Sequence, residues 1–199
     1  MKPQLFSAAV HLCVDMQRLF CESTEWYTPW MERMLPNVVR LVEPRPERTV
    51  FTRFIPASSP DEANGAWRDY YRRYRSMTLS EMDPGWVALH PELERYVPPA
   101  AVFDKPAYSP WWSGQLHRLL RRSGVSVLIL SGGESDICVL ATLLGAIDLG
   151  YRVILVRDAL YGSADPTHDA IMEVYTNRFG MQLDLVELDE VLEFWRAVG

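Results

Sequence analysis

The stretch "SGGESDICVLAT", Ser131 to Thr142, places Cys138 just past an apolar run, behind two glycines and at the start of a helix-period segment. Only the thiolate of cysteine is a good nucleophile, and a free side chain has a pKa of about 8.5. The unsatisfied N–H groups and positive dipole end of a helical first turn favour a negative sulfur. Those N–H groups can also receive a developing oxyanion. Gly132 and Gly133 permit a sharp turn and a close approach to a ligand, and Ser135 or Asp136 is expected to cap the helix. The competing reading is a small buried residue packing on a sheet, which is the one we give Cys13 and Cys21. Three more polar residues close apolar runs: Asp15 in "AAVHLCVDM", Lys105 in "AAVFDK" and Asp158 in "YRVILVRDA". A carboxylate ending a buried strand needs a partner. A neighbouring ammonium would be one, and would lower the pKa of both Asp15 and the thiol. Taken alone, Lys105 also reads as a side chain reaching to solvent.

These residues sit on a regular alternation of strands and helices. Strands are expected at 8–16, 47–54, 100–105, 126–132, 151–159 and 181–188, with 126–132 apolar enough to be buried on both faces. Between them, Val139, Leu140, Leu143, Leu144 and Ile147 form one broad apolar helical face that stops at Gly150. Thr28 precedes Pro29 as a helix start, Pro36 must break or restart that helix, and Asp165 caps Pro166. A last helix covers "DEVLEFWRAV". The pattern predicts an α/β fold of parallel βαβ units, its sheet covered on both faces. Ligands in such folds bind outside the carboxyl ends of the strands.

The 199 residues suit a single domain, 1–199, interrupted by an insertion at about 56–99. Within it Trp67, Tyr70, Tyr71 and Tyr74 make an aromatic stripe among arginines, expected to pack on the domain or on a second subunit. A basic-aromatic nucleic-acid surface is the sharper alternative. The net charge of −6 and pI near 5.3 oppose it, and give no attraction to nucleic acid or anionic membrane. Three cysteines make no disulfide framework and suit a reducing compartment, and no run is long enough to span a membrane, so a cytoplasmic protein is expected.

The segments "VDMQRLF", "FDKPAYS" and above all "SGGESDICVLAT", followed by "GYRVILVRDA" and "HDAIMEVYTNRFG", resemble the isochorismatase-like cysteine hydrolases, the superfamily of nicotinamidases and N-carbamoylsarcosine amidohydrolases. The likeness runs from about 8 to 188. It implies a three-layer α/β/α sandwich with a six-stranded parallel sheet in the order 3-2-1-4-5-6, and a homo-oligomer, dimer or tetramer. It also implies a catalytic triad of Asp15, Lys105 and Cys138. Cys138 would attack a carbonyl carbon, Asp15 would carry the thiol proton to a departing amine, and Lys105 would hold Asp15 and stabilise the thiolate. A cis peptide would fall at Gly133–Glu134, and the backbone N–H groups of Glu134 and Cys138 would form an oxyanion hole. Nicotinamidases take a metal through an aspartate and histidines after the second strand. Here that region reads "TRFIPASSP" and the four histidines lack ligand spacing, so no metal or other cofactor is expected. An intact cysteine favours amide or ureide chemistry over the vinyl ether of isochorismate. Phe20, Tyr108, Trp111 and Trp112 are candidate walls for a small planar substrate. Arg53 is a candidate for a substrate carboxylate, or pairs with Asp61 or Glu62. The expectation is therefore a metal-independent cysteine amidohydrolase acting on a small molecule. The alternatives are an isochorismatase-type hydrolase and a non-catalytic small-molecule or nucleotide-binding oligomer of the same fold.

Overall fold

A computed structural model describes residues 4–197. Six strands form one parallel sheet: β1 (Ala9–Val14), β2 (Thr49–Phe54), β3 (Ala101–Lys105), β4 (Val127–Gly133), β5 (Arg152–Tyr161) and β6 (Leu183–Val186). Their order is β3-β2-β1-β4-β5-β6, as expected. Every residue of β4 is buried, which is why this run carries no alternation of apolar and polar positions. One face packs against the helices Trp30–Val42 and Leu188–Trp195 through Met31, Leu35, Val38, Val191 and Trp195. The other face takes the helices Gln115–Arg122, Cys138–Asp148 and Asp165–Arg178 through Leu116, Val139, Leu143, Met172 and Tyr175. Chain direction across the sheet reverses its winding between β1 and β4, so the crevice expected to hold ligands opens at the carboxyl ends of those two strands.

Several local expectations are corrected. Pro36 neither breaks nor restarts its helix, which runs unbroken from Trp30 to Val42. Pro36 lies on the exposed side together with Glu32, so the carbonyl deprived of its N–H partner faces water. Neither Thr28 nor Asp165 caps with its side chain. Thr28 Oγ1 donates to the Trp26 carbonyl, and Asp165 Oδ1 accepts from Trp30 Nε1 at 2.7 Å. Asp158 does not end β5, which continues three residues further through a register irregularity against β4. Its Oδ1 accepts the N–H of Leu188 at 2.8 Å and its carbonyl accepts from Asn37 Nδ2, fastening the last helix to the sheet away from the crevice.

His11, at the centre of β1, is fully buried between Ser131 Oγ (2.8 Å from Nε2) and Thr49 Oγ1 (3.4 Å from Nδ1). Thr49 already donates to the Arg45 carbonyl, which assigns the ring proton to Nδ1 and makes Ser131 the donor to Nε2. Burial pushes its pKa from 6.5 down to about 3. A base depressed in this way takes up its proton more readily in the unfolded chain, so its contribution is complete above pH 6.5 and shrinks as pH falls towards 3. Lowering pH from about 7 to about 4.5 is expected to cost about 2–3 kcal/mol through His11 alone. Urea unfolding of the wild type and of His11→Gln at the two pH values checks this. Equal acid losses in both proteins would refute it.

Candidate active site

Asp15 follows β1 and Cys138 follows β4, so the two strands flanking the crevice each deliver one group to it. Asp15 adopts a left-handed backbone (φ 50°), a region aspartate tolerates better than most residues, and this turns its carboxylate down between the strand ends. Its N–H donates to the carbonyl and hydroxyl of Thr52, each at 3.2 Å, and Thr52 Oγ1 returns a 2.6 Å hydrogen bond to Oδ1. Thr52 is a partner that the sequence reading missed. In β2 it is an unremarkable β-branched residue, and only strand register sets it beside the end of β1.

Lys105 arrives from the sheet edge. It closes β3 beside Phe54 of β2, and its stem crosses the end of β2, carrying Nζ to 5.5 Å from the Phe54 ring centroid. Nζ then pairs with Asp15 Oδ2 at 2.7 Å and donates to the Ala107 carbonyl at 3.1 Å, with both charged side chains fully buried. The solvated reading of Lys105 is therefore wrong. Burial works against the ammonium, but Asp15 and Cys138 outweigh it and hold its pKa above the ordinary lysine value. Asp15 and Lys105 are the charged groups whose fields act most strongly on the Cys138 thiol. Burial, followed by the negative charge of Asp15, pushes the thiol well above its usual pKa, while Lys105 pulls the other way. Burial and Asp15 thus work against the thiolate that a dipole argument alone would favour.

Neither Ser135 nor Asp136 caps: the helix starts at Cys138, with Ile137 before it and no side-chain cap. Ser135 Oγ instead bonds His168 Nδ1 at 2.9 Å, and its carbonyl accepts from Tyr175 Oη at 2.6 Å. The carbonyl of Glu134 receives the N–H groups of both Ile137 (3.1 Å) and Val139 (2.9 Å). Among the described residues, no acceptor takes the N–H of Glu134 or of Cys138. The peptide between Gly133 and Glu134 is cis. Gly132 is required by its φ of +99°, and a Cβ there would overlap the Val14 carbonyl of β1. A Cβ at Gly133 would enter the ring of Tyr161, whose hydroxyl donates to the Asp15 carbonyl at 3.2 Å.

Above Cys138 lies a cavity of about 260 Å³. Phe20 and Tyr108 line it, as proposed from the sequence. Trp26, Tyr27, Phe54, Tyr70 and Tyr74 line it too, so the aromatic stripe of the insertion both packs on the body of the protein and walls the site. Tyr70 and Tyr74 stand on or just past the helix Ala66–Arg73, with ring centroids 6.0 Å from that of Trp26. Three sequence candidates are elsewhere. Trp112 is 68% exposed and borders a separate hollow with Asp104 and Pro106, while Trp111 stacks on Tyr151 and donates to the Thr142 carbonyl. Arg53 is engaged by Asp104 directly across the β2–β3 ladder, through contacts of 2.7 and 2.8 Å, and by neither Asp61 nor Glu62. It does not line the cavity.

The residues after β2, Ile55 to Ser58, offer no carboxylate, imidazole or thiol, so they do not fit the metal site that the resemblance to nicotinamidases would have implied there. The fold does bring Cys21, Glu32 and His90 together elsewhere, with donor atoms within 4.8 Å of one another. There His90 Nδ1 accepts from the Glu92 N–H, which leaves the ring proton on Nε2, 3.4 Å from Glu32. As arranged, that imidazole donates to a carboxylate.

The isochorismatase domain model matches residues 9–187, and the chain belongs to that family of hydrolases. The particular relatives are distant. A protein of Arabidopsis thaliana described as a probable inactive nicotinamidase is 26% identical over 170 residues, covering 80% of this chain and 83% of its own. A cysteine hydrolase from Pseudomonas syringae pv. phaseolicola superposes with a TM-score of 0.83 at 20% identity, covering 100% of this chain and 96% of its own. An N-carbamoylsarcosine amidase from Thermoplasma acidophilum gives 0.72 at 23% identity, covering 91% and 96%. No helix among the described residues is long and apolar enough to cross a membrane.

Proposed function

We propose that this hydrolase cleaves the C–N bond of a small amide or ureide through a thioester on Cys138, without a metal ion. The observation that carries the proposal is the fully buried Lys105–Asp15 ion pair, 2.7 Å long, whose charges act on a Cys138 that lines an aromatic cavity. In this scheme Asp15 takes the thiol proton as sulfur forms a bond to the substrate carbonyl carbon. The resulting oxyanion is received by the free N–H groups of Glu134 and Cys138. The C–N bond then breaks, and the nitrogen leaves with the proton from Asp15. Water attacks the thioester, giving one proton to Asp15. The carboxylic product departs, and sulfur recovers its proton from Asp15. Lys105 keeps the carboxylate aimed at sulfur and offsets the charge that develops there. A buried thiol beside its own base suits this order of events, because the proton moves only when a substrate is present to accept the sulfur. The solved amidase and cysteine hydrolase of the same fold support the reading.

The test is covalent. Acid-quenching during turnover of a panel of small amides is expected to trap one acyl group per chain, mapped by mass spectrometry to Cys138. Iodoacetamide should label Cys138, which opens on the cavity, with loss of activity and spare Cys13, which is fully enclosed in the core. Full amide turnover after complete alkylation of Cys138 would overturn the proposal.

A further inference from the structure

The residues that line the cavity above Cys138 carry formal charge of one sign only. Of its twelve lining residues seven are aromatic, two are acidic (Glu25 and Glu134), and none is lysine, arginine or histidine. Lys105 lies beneath it with its ammonium already committed to Asp15 and the Ala107 carbonyl. Arg73, outside the lining, pairs with Glu25 at 3.2 Å and stacks on Tyr74, and the Ser76 hydroxyl also donates to Glu25. That leaves a box. Trp26 packs 6.0 Å from Tyr70, 6.0 Å from Tyr74 and 5.9 Å from Phe54, centroid to centroid. Two buried polar atoms of this lining, Trp26 Nε1 and Glu134 Oε2, have no hydrogen-bond partner among the described residues. Burial raises the pKa of the Glu134 carboxyl, against the opposing hydrogen bond from Ser163.

Aromatic faces attract cations, and most strongly where water is excluded. Carboxylates at the same box add to that attraction and repel an anion. A substrate bearing a carboxylate would meet the Glu134 carboxyl and a Glu25 whose Arg73 is already engaged, with no uncommitted cation in the lining to receive it. We infer that the substrate of this site is an amide or ureide whose non-reacting end carries a positive charge, an ammonium, guanidinium or quaternary ammonium, seated in the aromatic box beside Glu25 and Glu134. This rests on the amidohydrolase reading above and names the substrate class that reading leaves open.

Three amides of one shape test it, identical except for a trimethylammonium, a tert-butyl or a carboxylate group at the end remote from the amide. The expected kcat/KM for the trimethylammonium compound exceeds that of the tert-butyl isostere by about 10-fold or more, with the carboxylate at least about 100-fold below the cation. In Glu25→Gln the cation-to-neutral ratio is expected to fall about 5-fold. Calorimetry of the three compounds with the Cys138→Ala protein reads binding apart from chemistry. If amides are hydrolysed and the neutral or anionic member is preferred, this inference falls and the amidohydrolase reading stands. If none is hydrolysed while Cys138→Ala protein prefers the cation, the amidohydrolase reading falls and the cation box stands. No hydrolysis and no binding preference would end both.

Discussion

Cys138→Ala protein is expected to fold normally and to lose amide turnover by a factor of about 10⁴ or more, the scale on which removal of a covalent nucleophile is felt. The sulfur has no replacement. On the proposed mechanism Asp15 remains as a base, but without the thioester it would have to activate water directly against an unactivated amide. Stability should change little, because Cys138 contributes a small buried side chain and its neighbours Val139 and Leu143 carry the packing. Turnover and chemical unfolding of the purified variant are the two measurements. Retention of more than about one per cent of wild-type activity would place the chemistry elsewhere.

Lys105→Met is expected to cost about 3–5 kcal/mol of stability as well as activity. The substitution keeps the stem that crosses Phe54 and deletes only the charge. Asp15, fully buried, is then left with the Thr52 hydroxyl and no counter-ion. Removing both charges tells the story: Asp15→Asn with Lys105→Met should regain most of the lost stability and none of the activity, as expected when a buried pair costs more broken than absent. The sign of the pH dependence follows from the ammonium. Its pKa is held above the ordinary 10.5, so the pair's contribution is complete through neutral pH and is lost only as pH climbs past that value. Urea unfolding of the single and double variants settles the matter. A single variant within about 1 kcal/mol of wild type would show the pair to be energetically idle.

The strand ends that meet in this site were legible in the sequence because a polar residue closing an apolar run is costly unless something receives it. Asp15, Lys105 and Cys138 each carry that signal. Asp158 carries it as well, and misleads: its cost is met by the Leu188 N–H, a backbone donor that composition cannot reveal. Arg53 shows the same limit, since its partner Asp104 lies 51 residues away and becomes adjacent only through the β2–β3 register. The aromatic stripe was readable as a buried face from its helical spacing. That this face would also wall a cavity depended on Trp26, contributed by a loop with no periodicity to read. Gln17 was equally silent. Its side chain donates to the carbonyls of Phe54 and Val87 and accepts the Phe54 N–H, stitching the end of β2 to the insertion in the way a further strand would.

The ring of Tyr161 fills the space a side chain at position 133 would need, while its hydroxyl holds the carbonyl of Asp15. Volume at these two positions is therefore shared property. A descendant of this chain that gains a methyl group at 133 must shrink residue 161 in compensation, and by shrinking it surrenders the tether on the loop that carries its acid. The dependence runs one way: position 161 is free to lose volume alone, while position 133 can gain it only after 161 has given way.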